Sequence, residues 1–316
     1  MKINNNVKGC LILSVASMIW GFAFVAQSSI ASTVPPFMLN SLRSFIAVLF
    51  LGGLMLLQKA RGTRATLFPT DPTDRKYTLF AGVVCGLLLT LSVNLQQFGL
   101  MVYPEGVAAA ARGGFLTSLY VVMVPLLSVF LGKKLSPGVA FAVLLALGGV
   151  YLLCVSESLG GIYLGDVLVL LCALSFSFHI LVMEQTSKRI DGYLLCAMQF
   201  LVCGIVSGVL TLGFEEMNWN NLPSAILPLL YMGVLSSGVG YTMQILGQKY
   251  AEPVVASLSM SLESVFAALG GWMFSGNRLS LRELGGCALV FLAILLAQIP
   301  VPNKISENGK KKHKKV

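Results

Sequence analysis

Ten apolar runs of about 20 residues divide this chain, and that is the length a helix needs to cross the hydrocarbon core of a bilayer. They lie near 9–30, 36–57, 77–100, 106–131, 137–155, 163–184, 192–213, 224–247, 253–274 and 279–299. One connection is long, 58–76 (QKARGTRATLFPTDPTDRK), and its Pro, Asp and mixed charges read as a surface loop. The chain is 56% hydrophobic and 11% charged, with a mean hydropathy of +0.82, more apolar surface than a water-soluble core of this size hides. The expected fold class is an all-α membrane protein of ten transmembrane helices.

The basic excess follows the spans. Of the 22 Lys and Arg, 6 sit in the final NKISENGKKKHKKV and most others mark turns, so the net charge of +9 reads as membrane topology and not as a nucleic-acid surface. With the N-terminus inside, the inner side collects 18 of them and the outer side only Arg278 and Arg282. Both termini are therefore expected in the cytoplasm, with the N-terminal apolar run kept as the first span and the plasma membrane as the site. The seven cysteines all fall within apolar runs, with no C-x-x-C or Cys/His spacing suited to zinc, so they read as small hydrophobes. No metal or cofactor is expected.

The two halves echo each other. LGKKLSPG (131–138) follows the fourth run and SGNRLSLR (275–282) the ninth; LQQFGL (95–100) ends the third and MQILGQ (243–248) the eighth, placing Gln96 opposite Gln244. Five helices per unit is odd, so the second copy enters the membrane from the other side. Residues 1–156 and 157–300 are expected to be two inverted five-helix repeats, and 301–316 a basic cytoplasmic tail. Inverted repeats suit secondary transporters, because exchanging the conformations of the halves exchanges inward-open for outward-open states.

The stretches IWGFAFV, NSLRSFIAVL, RGGFLTSLYVVMVPLLSVFLGKKLS, GDVLVLLCALSFSFHILV and YMGVLSSGVGYTMQILGQKYAEPVVASLSMSLESVFAALGGWMFSGNRLS resemble the drug/metabolite transporter superfamily, specifically proteins with two EamA domains. The resemblance spans nearly the whole chain and implies a ten-helix carrier with a central cavity and peripheral fifth and tenth spans. Ser264 stands where the family often has proline after the ninth-span glutamate, and Lys133 and Asn277 replace acids common in the two turns. Interactions made by those turn acids are not carried over.

Ionisable groups at membrane depth are costly and normally face protein or water with a partner. Four stand out: Arg43 in the second run, Arg112 in the fourth, His179 in the sixth and Glu263 near the centre of the ninth. Glu263 either lines the cavity and carries a coupling proton or is a structural acid paired with an arginine. Arg112, beside Gly113 and Gly114, reads as a cavity residue. Arg43 either ties helices together, in which case its loss lowers folded yield, or meets substrate. His179 either relays protons or packs between helices. Asn94 and Gln97 share one helix face, as do Tyr241, Gln244 and Gln248, and such stripes serve as interhelix glue or as a polar cavity wall. Trp20 and Trp272 offer a flat surface for an apolar or cationic ligand, or an interface anchor. The G-x-x-x-G pairs Gly82/Gly86 and Gly204/Gly208 read as close packing sites, and Pro125 as a kink.

These features point to a secondary carrier for a small organic metabolite, an amino acid or related compound, or a drug-like molecule, with or without proton coupling, as a monomer or homodimer in the bilayer. A carrier for quaternary amines is the alternative, and a channel or membrane enzyme the rival of another class. Two histidines in all are few for an enzyme site, the two-fold pattern disfavours a channel, and no G-x-x-x-x-G-K-[ST] phosphate loop is present for a pump.

Overall fold

In the computed structural model, which describes residues 5–30, 33–64, 66–104, 109–154, 163–216, 222–275 and 280–297, all regular structure is helical. The first part contains α1 (Asn5–Ser29), α2 (Pro36–Ala60), α3 (Pro72–Met101), α4 (Ala109–Ser118), α5 (Tyr120–Phe130) and α6 (Pro137–Cys154). There follow α7 (Leu164–Thr186), α8 (Gly192–Phe214) and α9 (Leu222–Leu230), which a π-helical stretch, Tyr231–Gly240, joins to α10 (Tyr241–Gln248). Last come α11 (Pro253–Met260), α12 (Leu262–Ser275) and α13 (Leu281–Ala297). Among the described residues, 7 helical stretches are long and apolar enough to cross a membrane, and Leu116–Phe130, Pro137–Leu152 and Leu284–Ala297 are shorter apolar helices. The tail 301–316 and the turn 276–279 lie outside the described residues.

Four runs differ from the sequence expectation. The loop after α2 is shorter than 58–76, because α3 begins at Pro72 with Asp71 as its cap, accepting from the Thr73 and Asp74 amides. Runs four and nine, expected to be single helices, are each interrupted near their middle, at Leu119 and at Ser261. In the ninth, the hydroxyls of Ser257, Ser259, Ser261 and Ser264 all donate back to carbonyls three or four residues earlier, an arrangement that bends helices. In the fourth, Pro125 lacks the N–H that would meet the Val121 carbonyl and crowds the turn just after the break. The π-helical stretch of the eighth run begins shortly after another internal proline, Pro228.

Packing is close where side chains are small. α8 lies between α2 and α3. Gly82 and Gly86 face Met198 and Val202, while Gly204 and Gly208 face Phe45 and Ser41, so both G-x-x-x-G pairs sit at helix contacts. Gly21 is the tightest case, since a Cβ there would overlap Phe266 and the α12 backbone. Gly21→Val is expected to separate α1 from α12 and lower the folded yield severalfold in detergent, checked by size-exclusion profile and thermal unfolding. Leu49, Phe80, Phe130, Leu212 and Phe214 point outward and are exposed, as lipid-facing side chains are.

One end of the bundle carries ion pairs between elements distant in sequence. Arg64 pairs with Asp191 at 3.0 Å, Arg189 with Asp74 at 2.7 Å and Lys133 with Glu184 at 3.5 Å; Lys188 meets the same Glu184 locally, from four residues along the chain. All of these basic residues fall in connections that the distribution of Lys and Arg leads one to expect on the cytoplasmic side.

Candidate functional site

A cavity at the centre of the bundle is lined from seven of the ten apolar runs. Trp20, Phe24 and Gln27 come from α1, Arg43 from α2 and Gln96 from α3. Thr117 and Tyr120 flank the break between α4 and α5, as Met260 and Glu263 flank the break between α11 and α12. Phe176 of α7, Ser236 of the π-helical stretch, and Tyr241 and Gln244 of α10 close the wall. α6 and α13 pack on each other and contribute no lining residue.

The charged groups here have few partners. Arg43 is 5% exposed, makes no hydrogen bond or ion pair with any described residue, and leaves Nε buried and unpaired. Glu263 accepts a hydrogen bond from the Tyr120 hydroxyl at 3.0 Å through Oε1, so among the described residues its partner is a phenol and not an arginine. Gln96 donates to the Thr117 hydroxyl at 3.2 Å, whereas its counterpart Gln244 leaves Oε1 buried and unpaired. A buried cation without a partner and a buried amide oxygen without a donor are rare and costly, and a polar cavity is where they find water or ligand.

Aromatic rings form the rest of the surface. Trp20 donates from Nε1 to the Ser236 carbonyl at 3.2 Å and meets Tyr241 edge-on at 4.9 Å between centroids. Tyr241 in turn meets Phe200 edge-on at 5.1 Å, which fixes the ring from behind.

The other sequence candidates divide. Gln97 is fully buried and accepts from Gln27 at 2.5 Å, and Asn94 accepts from Asn40 and donates to Ser207, so this face of α3 joins helices beside the cavity. Gln248 does not line the cavity and donates to the carbonyl of Ile180, which does. His179 is fully buried between α7 and α8, with Nε2 2.9 Å from Gln199 Oε1 and its ring edge-on to Tyr241. Trp272 is half exposed on the outer surface. The side chain of Arg112 lies outside the described residues. Tyr120, Phe24 and Phe176 carry no signal in sequence, because an aromatic in an oily helix usually packs. Gln96 does carry one, its alignment with Gln244.

The void measures about 60 Å³. On this measure one water needs about 10–15 Å³, so there is room for a few waters but not for a metabolite. The Trp20 and Tyr241 rings, in contact with each other, both line the void.

The EamA-like transporter family matches the chain twice, over residues 7–155 and 163–298. An "Uncharacterized transporter" from Archaeoglobus fulgidus is 27% identical over 92% of this chain and 85% of its own. The "Uncharacterized transporter YoaV" from Bacillus subtilis is 21% identical over 92% of this chain and 96% of its own. A solved crystal structure shares the fold with a TM-score of 0.74, at 21% identity, covering 92% of this chain and 96% of that one. Two matched segments that together span nearly the whole chain, on a helical membrane fold with a cavity between them, place this protein in the EamA-like transporter family.

Proposed function

We propose that the protein is a secondary carrier that moves a small organic metabolite, an amino acid or related compound, or a drug-like molecule across the plasma membrane by alternating access. The observation that carries this reading is the cavity between the two matched segments, with the unpaired Arg43, the single-partnered Glu263 and an unpaired Gln244 oxygen in one wall. Arg43 suits a substrate carboxylate, since a guanidinium binds one through two parallel hydrogen bonds. Glu263 suits a substrate amine or a coupling proton.

Ten crossings arranged as two inverted repeats, 1–156 and 157–300, with both termini in the cytoplasm, form part of this proposal. Packing supports it. If α1, α2, α3, α4–α5 and α6 exchange with α7, α8, α9–α10, α11–α12 and α13, the contact of α3 with α7 maps onto that of α10 with α1, and the contact of α3 with α8 onto that of the π-helical stretch with α2. The packing of α4 and α5 on α7 likewise maps onto that of α11 and α12 on α1. The breaks at Leu119 and Ser261 fall in exchanged runs, and interrupted helices at corresponding positions of two repeats are where transporters bind substrate and coupling ions.

The ion pairs Arg64–Asp191, Asp74–Arg189 and Lys133–Glu184 each join the first segment to the second at the face expected to be cytoplasmic. The Asp74–Arg189 pair, half exposed on both sides, is worth less than about 1 kcal/mol, which suits a gate that opens and closes.

A quaternary amine or cationic drug is the second reading, favoured by the Trp20, Tyr120 and Tyr241 rings around Glu263. Purified protein in liposomes preloaded with unlabelled leucine, phenylalanine, glutamate or choline is expected to show transient accumulation of the matching labelled compound. Choline alone giving this counterflow would select the second reading. Leak that neither saturates nor overshoots with any permeant would remove the carrier assignment.

A further inference from the structure

Tyr120 is the first residue after the break in run four, and Glu263 the second after the break in run nine. Their hydrogen bond, 3.0 Å from hydroxyl to carboxylate, therefore joins the midpoints of two interrupted helices, one from each EamA-like segment. Tyr120 is 4% exposed and Glu263 6%, so water competes weakly with this bond. α5, α6, α11 and α13 share an apolar core through Val121, Ala146, Leu258 and Val290, while the polar ties beside the breaks run elsewhere, from Ser17 of α1 to the Ser259 and Met260 carbonyls and from Gln96 of α3 to Thr117. Apolar surfaces slide; a charge-assisted hydrogen bond has one geometry.

We propose that Tyr120 is the positioning residue for Glu263, and that their hydrogen bond latches the two interrupted helices together until Glu263 takes up a proton. This rests on the reading that Glu263 is the coupling acid. In the latched state the Tyr120 O–H donates to the Glu263 carboxylate. A proton delivered to the carboxylate by hydronium in the cavity makes it a neutral acid and leaves water behind, and the Tyr120 bond, no longer charge-assisted, loses about half its strength. The interrupted helices can then swing at Leu119 and Ser261. The groups facing Glu263 from its surroundings are Tyr120 on α5, Arg43 on α2, Tyr241 on α10 and Cys172 on α7.

The test uses full-length protein in nanodiscs, native cysteines replaced by alanine, with spin labels at Lys134→Cys and Glu252→Cys. These sites lie just past the end of α5 and just before the start of α11, and both are exposed. Interspin distances measured at pH 5 and pH 8 are expected to show two populations whose ratio shifts at least fivefold with pH. Tyr120→Phe, which keeps the ring, should hold the unlatched population at both pH values while its melting temperature stays near that of the parent. Glu263→Gln should also abolish the pH response. A pH response intact in Tyr120→Phe but lost in Glu263→Gln overturns the latch and leaves Glu263 as the coupling acid. A response intact in both overturns the latch and the coupling role together.

Discussion

Replacing Arg43 by methionine is expected to weaken substrate binding roughly 10- to 100-fold while leaving the melting temperature unchanged or raised. The direction follows from its surroundings. A structural arginine in a bilayer is held by carboxylates or carbonyls, and removing it strands them; Arg43 has no such partner among the described residues and its Nε is buried unpaired. Methionine fills similar space without a charge to desolvate, so folding loses little. A hydrogen bond from a charged donor contributes about 1.5–3 kcal/mol, which gives that range of affinity. The measurement is concentration-dependent counterflow of whichever panel compound the wild type carries, beside thermal unfolding of the same preparation. Loss of folded yield with affinity intact would return Arg43 to the role of a helix tie.

The apolar helices, 7 of them long enough to cross a membrane among the described residues, were legible because hydropathy over about 20 residues is a one-dimensional signal that needs no knowledge of which way a side chain faces. Rotation of each helix is not written there. Leu49 is 76% exposed and Leu51 is 1% exposed, although both sit in the same oily run, because lipid and a packed neighbour are equally apolar. Hence Asn94 and Gln97 on one side and Tyr241 and Gln244 on the other read alike in sequence, yet the first pair joins helices and the second faces the cavity. Charges were the exception, since the cost of burying one restricts where it can point: Arg43 and Glu263 do share a cavity. Tyr120 had no such mark, and its partner lies 143 positions away. The helix breaks were half legible. Pro125 announced one, while the serines at 257, 259, 261 and 264 look innocuous until their hydroxyls are seen to turn back on the backbone.

Glu263→Gln is expected to fold normally, to retain exchange of labelled for unlabelled substrate, and to lose accumulation driven by a pH gradient entirely. Glutamine is the neutral shape of the protonated acid, and its amide still offers an acceptor oxygen to Tyr120, so the local packing of α12 survives. What it lacks is a second protonation state. A carrier coupled through one carboxylate must return with that group in the other state, and with the return restricted to one state the gradient does no work on the substrate. Exchange requires no such change, because substrate is bound on both legs. The comparison is gradient-driven uptake against counterflow in one liposome preparation, at a series of external pH values. Wild type should respond to the gradient and the variant should not, with counterflow within a few-fold of wild type in both. Gradient-driven uptake that persists in the variant would move the coupling proton elsewhere. His179 would be the next group to test, as it lies behind Tyr241 with Nδ1 buried and unpaired. Loss of both activities with folding intact would instead make Glu263 a direct ligand of a substrate amine, as the cationic reading requires.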